Sequence, residues 1–320
     1  MVSGSNVLDR LDALAVEGIR PQDAVATSNT QWIELVKRAA RSNCAILITG
    51  ETGVGKEHLA RWVHDYSDRR GRAFIPVNCG AIPESIVDSQ LFGHVRGSFT
   101  GATSDHIGLV RAAEGGTLFL DEIGELQPSS QIRLLRLLQD REVQPVGLPG
   151  PVIVDVRVIA ASNKNLRAAV EDSRFREDLL FRLDVVQLRV KPLRERPGEL
   201  TMLLDTFNRE FAELYNEPVL DIDRGAMNVL KSYSWPGNVR QLRSLVERLH
   251  VLSPGRTITA RRLMEIGQLA HTSPATAPIR SIRQVKTEAV RRVLADAGGS
   301  VTRAAEIFGV HRSTIYRWLR

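Results

Sequence analysis

Cysteine is scarce in this chain. Its 320 residues contain two cysteines, Cys44 and Cys79, and neither belongs to a C-x-x-C pair. This scarcity excludes a disulfide-rich scaffold, and the missing pair argues against a zinc site. We therefore expect two small buried side chains beside core strands, in a protein that works in a reducing compartment.

Long apolar runs are also missing. Apolar residues make up 43% of the chain, enough for a sizeable core, but no unbroken stretch of them is long enough to cross a bilayer. Residues 1–20 contain acidic residues and lack the continuous apolar region of a signal peptide. These absences predict a cytoplasmic protein without a membrane span. A chain of this length is expected to form two or three domains.

The net charge of +6 is distributed unevenly. Residues 281–320 hold eight lysines and arginines against three acidic residues, so this segment carries +5 and the other 280 residues carry about +1. A nearly neutral body with a basic end is typical of a protein whose end domain binds nucleic acid. Charge alone is equally compatible with a solvated basic face that binds nothing.

Residues 45–57, AILITGETGVGKE, are the stretch around which the chain is organised. A short apolar strand leads into a glycine-rich turn, and Lys56 opens a helix. Such a turn allows backbone N–H groups to converge on phosphates, and the lysine adds a positive charge for the β- and γ-phosphates. Glu57 stands where the general pattern has a Mg²⁺-binding Ser or Thr. A glycine-rich turn without a ligand is the alternative.

Two further strands are followed by polar side chains that suit nucleotide hydrolysis. One ends in Asp121, which would hold Mg²⁺ through water, and Glu122, which would polarise the attacking water. The other is predicted over residues 152–161 and is followed by Asn163, which could orient that water. Ligands bind at the carboxyl ends of parallel strands, so these residues predict one site with Lys56. The alternative for the two carboxylates is an acid pair at a helix N-terminus.

Residues 91–102 show little periodicity and place three glycines around Phe99. This pattern predicts an exposed loop with an aromatic tip. An apolar tip is unfavourable in water unless something binds it, so a partner is expected there. The interpretation in which Phe99 folds back onto its own domain is equally compatible with the pattern.

Two helices between residues 131 and 183 carry specific expectations. The helix over 131–139 is predicted to bury five apolar residues on one side, namely Ile132, Leu134, Leu135, Leu137 and Leu138. The helix over 174–183 contains Arg176 and Arg182. Because Arg182 lies between Phe181 and Leu183, its guanidinium is expected to need an anionic partner. A surface ion pair is the alternative for either arginine.

Strand signals stop at Pro197, and the rest of the chain is predicted to be helical. Residues 197–270 form a small helical domain with Arg240 at a helix start, and residues 271–280 form a linker rich in Thr, Ser, Ala and Pro. The last forty residues predict a helix-turn-helix that binds DNA through its third helix. The predicted helices cover residues 199–214, 224–232, 239–252, 282–297, 301–308 and a segment from 311 or 312 onward.

Taken together, these motifs resemble the bacterial enhancer-binding proteins, the AAA+ activators of RNA polymerase that carries sigma-54. The resemblance runs from about residue 23 to residue 320. The loop GETGVGKE contains the glutamate that this family uses in place of Ser or Thr. The segment GSFTGA at 97–102 resembles the family's GAFTGA signature, which touches the sigma factor. The C-terminal AAEIFGVHRSTIYRWL resembles a Fis-like DNA-binding domain.

The resemblance implies a role for each motif. Asp121 and Glu122 match the Walker B acids, and Asn163 matches the first sensor. Asn78 matches a switch asparagine that senses the γ-phosphate through the catalytic glutamate. Arg176 and Arg182 match paired arginines that reach a neighbouring subunit's nucleotide, and Arg240 matches the second sensor. The implied catalytic set is Lys56, Asn78, Asp121, Glu122, Asn163, Arg176 and Arg182.

The implied binding residues fall into three groups. Those for nucleotide are Gly50, Glu51, Thr52, Gly53, Val54, Gly55, Lys56, Glu57 and Arg240. Those for the sigma factor are Gly97, Ser98, Phe99, Thr100, Gly101 and Ala102. Those for DNA are Arg312, Ser313, Thr314, Tyr316 and Arg317. Departures from the family pattern are Ser98 in the loop signature, Gln90 and Val95 near it, and Gln241 and Ser244 in the second sensor helix, and none removes a catalytic group.

The expected fold is an α/β AAA+ P-loop NTPase core over residues 24–196 with a helical lid over 197–270. A short segment, 1–23, precedes the core, and a small all-α Fis-like helix-turn-helix domain over 281–320 follows the linker. Because so few residues precede the core, the expectation extends to single-domain HrpS-like activators of type III secretion genes and to PspF-like activators held by a separate regulatory protein.

The implied function is an ATP-hydrolysing activator that uses Mg²⁺. It would bind double-stranded enhancer DNA as a dimer and remodel the closed complex of the sigma-54 RNA polymerase holoenzyme. It would work as a homo-oligomer, a hexamer by family pattern, or as a mixed ring with a homologous activator. Two alternatives are a repressor of the same family that uses ATP only as a sensor, and another AAA+ remodelling ATPase. The loop over 97–102 argues against both.

Overall fold

The computed structural model describes residues 29–267 and 300–308 of this chain. The chain divides into two compact units, residues 1–270 and residues 271–320, and each is described by itself. Several predictions fall outside the described residues: the N-terminal segment 1–23, the linker 271–280, the helix over 282–297, and the five proposed DNA contacts from Arg312 to Arg317.

The first unit is built on a five-stranded parallel sheet. The register places Asn78 beside Asp121 and Thr49 beside Ser162, so the polar strand ends meet at one edge of the sheet. The strands are β1 Ile46–Thr49, β2 Phe74–Asn78, β3 Thr117–Asp121, β6 Arg157–Ser162 and β7 Val186–Arg189. Their order across the sheet is β2-β3-β6-β1-β7.

The sheet is covered on both faces, because alternate residues of its strands point to opposite sides. Ile46 and Ile48 belong to one buried cluster, whereas Leu47 belongs to the other. The flanking helices are α1 Asn29–Arg41, α2 Lys56–Asp65, α3 Glu84–Phe92, α4 Leu109–Ala112, α5 Pro128–Asp140, α6 Leu166–Glu171 and α7 Glu177–Leu183. Short 3₁₀ helices lie at Cys79–Ala81, Ile123–Glu125 and Leu193–Glu195.

The single strand predicted over residues 152–161 is wrong, because this segment forms two strands. The first, β5 (Val152–Ile153), pairs antiparallel with β4 (Glu142–Val143), and the second is β6 of the main sheet. Between them, the backbone of Asp155 turns to accept a hydrogen bond from the Gly115 N–H at 2.8 Å. The segment VIVDVRVIAA is mostly apolar on both sides of this break, and one of its apolar residues, Ile153, is 67% exposed.

Two of the helix predictions also need correction. On α5, Leu134 and Leu137 are buried as expected, but Ile132 is 43% exposed and Gln131 takes the buried position instead. Residues 131, 134 and 137 follow helical spacing, and residue 132 lies off that face. The helix predicted from Arg174 begins at Glu177, so Arg176 lies immediately before it.

The rest of the first unit is a helical lid with its own core, centred on the buried Trp235, whose indole N–H donates to the Leu230 carbonyl at 2.9 Å. Its helices confirm the three predicted ones, with ends within two residues, and add a fourth. They are α8 Pro197–Tyr215, α9 Arg224–Ser232, α10 Asn238–Leu252 and α11 Ala260–Gly267.

In the second unit the structure describes α12, Val301–Phe308. Its bounds equal those predicted for the middle helix of the helix-turn-helix. Over residues 29–267 and 300–308, no helix combines the length and apolar character that a membrane span requires.

Candidate active site

The glycine-rich loop joins β1 to α2 and leaves the start of α2 open. Gly55 adopts φ 103° at the N-cap of α2 and provides no side-chain cap. A Cβ at Gly55 would meet no heavy atom within 4 Å. The first N–H groups of a helix lack partners within the helix, and together with the helix dipole they favour an anion. This end of α2 is therefore suited to hold a phosphate group.

Lys56 lies buried inside the loop, with 7% of its surface exposed. Its ammonium donates hydrogen bonds to the carbonyl oxygens of Gly50 and Glu51, at 3.0 and 3.1 Å. Burial lowers the pKa of Lys56, and the charges of Asp121 and Glu122 act in the opposite direction. A buried ammonium is stabilised by a compensating negative charge, so a phosphate in the loop would complete its environment.

The two acids at the end of β3 have different environments. Asp121 accepts a hydrogen bond from the Glu122 N–H at 3.0 Å. Glu122 adopts φ 55° and ψ 43°, a left-handed conformation that is unfavourable for glutamate and is often found at functional sites. Its Oε2 lies 2.5 Å from where a Cβ on Gly80 would stand, so a glycine at that position makes room for the carboxylate.

Asn78 ends β2 beside Asp121. Its side-chain oxygen accepts hydrogen bonds from the N–H groups of Gly80 and Ala81, at 2.9 and 3.1 Å, and so caps the 3₁₀ helix over Cys79–Ala81. Within the described part of the chain no hydrogen bond joins Asn78 to Glu122. The switch role of Asn78 therefore stays a prediction.

Asn163 reaches the glycine-rich loop directly. Its side-chain amide donates to the Thr52 hydroxyl at 2.9 Å. Because β6 lies next to β1, the residue after β6 emerges beside the loop that follows β1. The structure thus brings Asn163 together with the loop, as the strand-end argument predicted.

The start of lid helix α10 packs against the other side of the loop. The N–H of Arg240 donates to the Gly53 carbonyl at 3.2 Å. Gly53 has φ 77°, and a Cβ there would stand 2.4 Å from the Gly237 carbonyl oxygen. This close approach requires a glycine and places Arg240 near Lys56, where its positive charge helps to lower the lysine pKa.

Sequence reasoning missed two residues that hold the loop. Arg194 donates two hydrogen bonds to the Glu51 carboxylate, at 2.9 and 2.5 Å, and these bonds lower the pKa of Glu51. The buried Asn238 donates to the Glu51 carboxylate and to the Thr52 carbonyl, each at 3.1 Å, and accepts from the Leu193 N–H at 2.8 Å. The available signal for Asn238 was its place two positions before Arg240, but its burial could not be inferred from neighbours in sequence.

The two candidate arginines lie away from these contacts. Arg176 pairs with Asp178 through bonds of 3.0 and 2.7 Å. Arg182 and Phe181 are both exposed at the surface of α7, and no ion pair to Arg182 occurs among the described residues of the subunit, so its anionic partner stays a prediction. Among the described residues, no hydrogen bond or ion pair joins either arginine to the glycine-rich loop.

The loop over 97–102 is closed at its base by a hydrogen bond from the Gly97 N–H to the Ala102 carbonyl, at 2.9 Å. Phe99 remains 41% exposed, and its ring meets His94 edge-on with 5.0 Å between ring centroids. Both interpretations of Phe99 therefore hold in part: the ring touches its own domain and still presents an apolar surface to solvent.

The parallel sheet, the phosphate-type loop and the helical lid define an AAA+ ATPase. Three family models match consecutive parts of the chain: the Sigma-54 interaction domain over residues 24–189, the AAA+ ATPase lid domain over 194–278, and a helix-turn-helix domain over 285–320. The chain therefore belongs to the family of sigma-54-dependent transcriptional activators.

Individual relatives are similar to this chain over most of its length. The alginate biosynthesis transcriptional regulatory protein AlgB of Pseudomonas putida is 39% identical over 311 residues, which are 96% of this chain and 69% of that protein. The DNA-binding transcriptional regulator NtrC of Bradyrhizobium sp. is 40% identical over 318 residues, with 89% of this chain and 66% of that protein covered.

Solved structures of NtrX from Brucella abortus resemble this fold. One superposes with a TM-score of 0.70 at 32% identity, over 98% of this chain and 71% of that one. Crystal structures of the same protein in complex with ADP and with ATP superpose on this chain with TM-scores of 0.70 and 0.67.

Proposed function

We propose that this chain uses ATP hydrolysis to remodel the closed complex of sigma-54 RNA polymerase while it is bound to upstream enhancer DNA. The observation that carries the proposal is the partly exposed Phe99 on a closed loop within the unit that also contains the Lys56 loop. A nucleotide-dependent shift of that loop would move an apolar contact against a partner.

In the proposed reaction, Lys56 and the first N–H groups of α2 bind the β- and γ-phosphates of ATP. Glu122, which Gly80 leaves room for, orients the attacking water. Asn163 is held by Thr52 at the same edge of the sheet and positions that water. Arg240 and the main chain at residues 50–57 complete the nucleotide contacts.

The described residues of the proposed site offer few ligands for Mg²⁺. Asp121 offers one carboxylate near Lys56, and Glu57 stands where a Ser or Thr ligand is common. Within the described residues no group of three or more His, Cys, Asp or Glu side chains could hold a metal ion. Such an ion would therefore take most of its ligands from phosphates and water, with Asp121 acting through water. Its contribution would be to neutralise charge on the phosphate oxygens.

Arg176 and Arg182 are proposed to act on the nucleotide of a neighbouring subunit. Both are exposed, and in the described structure neither bonds to the glycine-rich loop of its own chain. Action in trans requires an assembly of subunits, and we propose a ring, either of six identical chains or mixed with a homologous activator. A separate regulatory protein is compatible with such a ring. Arginines supplied in trans increase NTPase rates by about 10³- to 10⁵-fold in other systems.

The residues proposed to contact enhancer DNA are Arg312, Ser313, Thr314, Tyr316 and Arg317. The helix-turn-helix match over 285–320 supports this proposal. The relatives named above are described as regulators of alginate biosynthesis and as NtrC, so they give no support to type III secretion genes as targets. That target stays a prediction from the sequence.

The decisive experiment replaces Phe99 with Ala and measures three activities: ATP hydrolysis, DNA binding and activation of a sigma-54 promoter. We expect hydrolysis and DNA binding to persist and activation to disappear. The matched control is Ile153→Ala, because Ile153 is also an exposed apolar residue, at 67%. Activation by the Phe99 variant would disprove the contact role, and repression of the promoter by the wild-type protein would favour a repressor.

A further inference from the structure

Gln131 on α5 is completely buried, and its side chain bonds to two separate segments. Its amide nitrogen donates to the carbonyl oxygens of Leu126, at 2.8 Å, and Arg174, at 3.0 Å. Its amide oxygen accepts from the Arg176 N–H at 2.8 Å. A fully paired buried amide of this kind fixes the relative position of the segments that it joins.

The first segment belongs to the hydrolytic site of the same subunit. Glu122 is followed by the 3₁₀ helix Ile123–Glu125, in which the Glu125 N–H donates to the Glu122 carbonyl at 2.9 Å. Leu126 closes this turn through a bond from its N–H to the Ile123 carbonyl at 3.2 Å. Gln131 therefore holds the end of a short, closed turn that begins at Glu122.

The second segment carries Arg176, the residue before α7. The guanidinium of Arg176 is held by Asp178, and the Asp178 carboxylate also accepts the Leu179 N–H at 2.8 Å. The side chain is thus fixed to the first turn of α7, and the main chain is fixed by Gln131. The place of the guanidinium on the subunit surface depends on both sets of bonds.

We infer that Gln131 is a positioning residue that sets Arg176 for the neighbouring subunit's nucleotide and couples it to the Glu122 turn of its own subunit. The inference rests on the proposed action of Arg176 in trans. A displacement of the Glu122 turn moves Leu126, and Gln131 transmits that movement to the arginine. Each site of the ring thereby influences the next.

The test uses Gln131→Met in the full-length protein, because methionine keeps the length and helix preference of glutamine but forms none of its three bonds. We expect kcat for ATP hydrolysis to fall on the order of 10- to 100-fold, because a misplaced catalytic group has effects of this size. KM for ATP should stay unchanged. The matched control is Gln139→Met, the same change at an exposed position of the same helix, which should retain wild-type kcat.

Mixing experiments separate a role in trans from damage to the subunit's own site. Gln131→Met is mixed with Lys56→Ala, whose own site is disabled but whose Arg176 is intact. In a head-to-tail ring, about half of the Gln131→Met subunits in an equal mixture receive an intact arginine from a neighbour. The rate of ATP hydrolysis per Gln131→Met subunit should therefore rise to about half of the wild-type rate per subunit. The double variant Lys56→Ala with Arg176→Ala should give no rise.

Arg176→Ala in the same mixture calibrates the result. If Arg176→Ala is restored by Lys56→Ala and Gln131→Met is not, Gln131 serves its own site or the fold, and the inference is overturned. If Arg176→Ala alone keeps the wild-type rate, the proposed action in trans is wrong, and the inference falls with it.

Folding is checked by gel filtration and circular dichroism. Should the methionine variant fail to fold, Gln131→Glu takes its place in the mixture, because glutamate keeps an oxygen for the Arg176 N–H and loses the two donated bonds. Its restoration by Lys56→Ala supports the inference, and its failure to be restored overturns it.

Discussion

Asn163 and Thr52 lie 111 residues apart in the sequence and are joined by a 2.9 Å hydrogen bond from the amide of Asn163 to the threonine hydroxyl. The bond links the end of β6 to the middle of the glycine-rich loop. The loop follows β1, which is the parallel neighbour of β6 in the sheet. Both side chains therefore emerge at the edge of the sheet where ligands bind. The contact gives the site a polar group that does not belong to the loop itself.

Replacing Asn163 with Ala is expected to lower kcat for ATP hydrolysis by about 10- to 100-fold, because the bond to Thr52 is lost together with the amide that we propose positions the attacking water. KM for ATP should change less. The measurement is steady-state ATPase kinetics. The control is Asn165→Ala, two residues further on, where the side chain caps α6 by accepting from Arg167 and Ala168. That variant should lose about 1 kcal/mol of stability and keep its kcat, and equal kinetic effects would contradict the prediction.

Replacing Arg194 with Met is expected to raise KM for ATP more than it lowers kcat, because Glu51 then loses the two bonds that fix its part of the loop. ATPase kinetics and nucleotide titration measure the two effects. Arg174→Met, which breaks an exposed pair with Asp172, is the control and should leave both constants unchanged. An unchanged KM in the Arg194 variant would show that the loop keeps its shape without this pair.

The same pair predicts a pH dependence of stability. Hydrogen bonds from Arg194 hold the pKa of Glu51 below the usual value of 4.5. The charged carboxylate therefore stabilises the fold above about pH 4.5, and this contribution is lost as the pH falls through the lowered pKa. Since both side chains are 41% exposed, the contribution is below about 1 kcal/mol. Melting temperatures of wild type and Arg194→Met should differ at neutral pH and converge in acid, and a constant difference would count against the assignment.

Arg157 provides a test of the fold rather than of the site. It is buried at 2% exposure, and its guanidinium donates to the Ala39 and Ala40 carbonyls at the end of α1, each at 2.6 Å. Replacing Arg157 with Met should lower the free energy of unfolding by about 1–3 kcal/mol, because the Ala40 carbonyl oxygen loses its donor. The Ala39 carbonyl oxygen still accepts from the N–H and the hydroxyl of Ser42. Arg141→Met, at a site 66% exposed, should change it by less than about 0.5 kcal/mol in the same urea titration. Similar midpoints for the two variants would contradict this account.

The two cysteines should differ in reactivity. Burial raises the pKa of the Cys79 thiol to about 12, and the nearby Asp121 and Glu122 act in the same direction. Cys44 is only partly buried. A thiol reagent at pH 8 should therefore modify Cys44 and leave Cys79 intact, because the thiolate is the reactive form. Peptide mass analysis identifies the modified residue, and both should react in denaturant. Rapid modification of Cys79 in the native protein would contradict the prediction.

Assembly should control hydrolysis if arginines act in trans. The ATPase rate per subunit is then expected to climb steeply with protein concentration, as rings form. A measurable rate that is independent of concentration would contradict action in trans. A rate near zero at every concentration, with nucleotide still bound, would show that a partner subunit or DNA is needed. Arg176→Ala should remain near zero across the same range.

The residues of the candidate site could largely be predicted from sequence. Gly53, Gly55 and Lys56 form a local pattern whose geometry depends on a few adjacent residues, and Asp121, Glu122 and Asn163 follow apolar strands whose ends meet in any parallel sheet. Local backbone preferences and the rule for strand ends therefore indicated where these residues meet, and the resemblance to a known family indicated the AAA+ fold class.

Tertiary structure alone decided which polar side chains are buried and what they bind. Gln131, Asn238 and Arg157 each bond to segments far away in the chain, and their neighbours in sequence carry no sign of this. The break within residues 152–161 and the exposure of Ile132 have the same origin. Apolar character makes burial of a residue favourable, but the packing of distant elements determines whether the residue is buried.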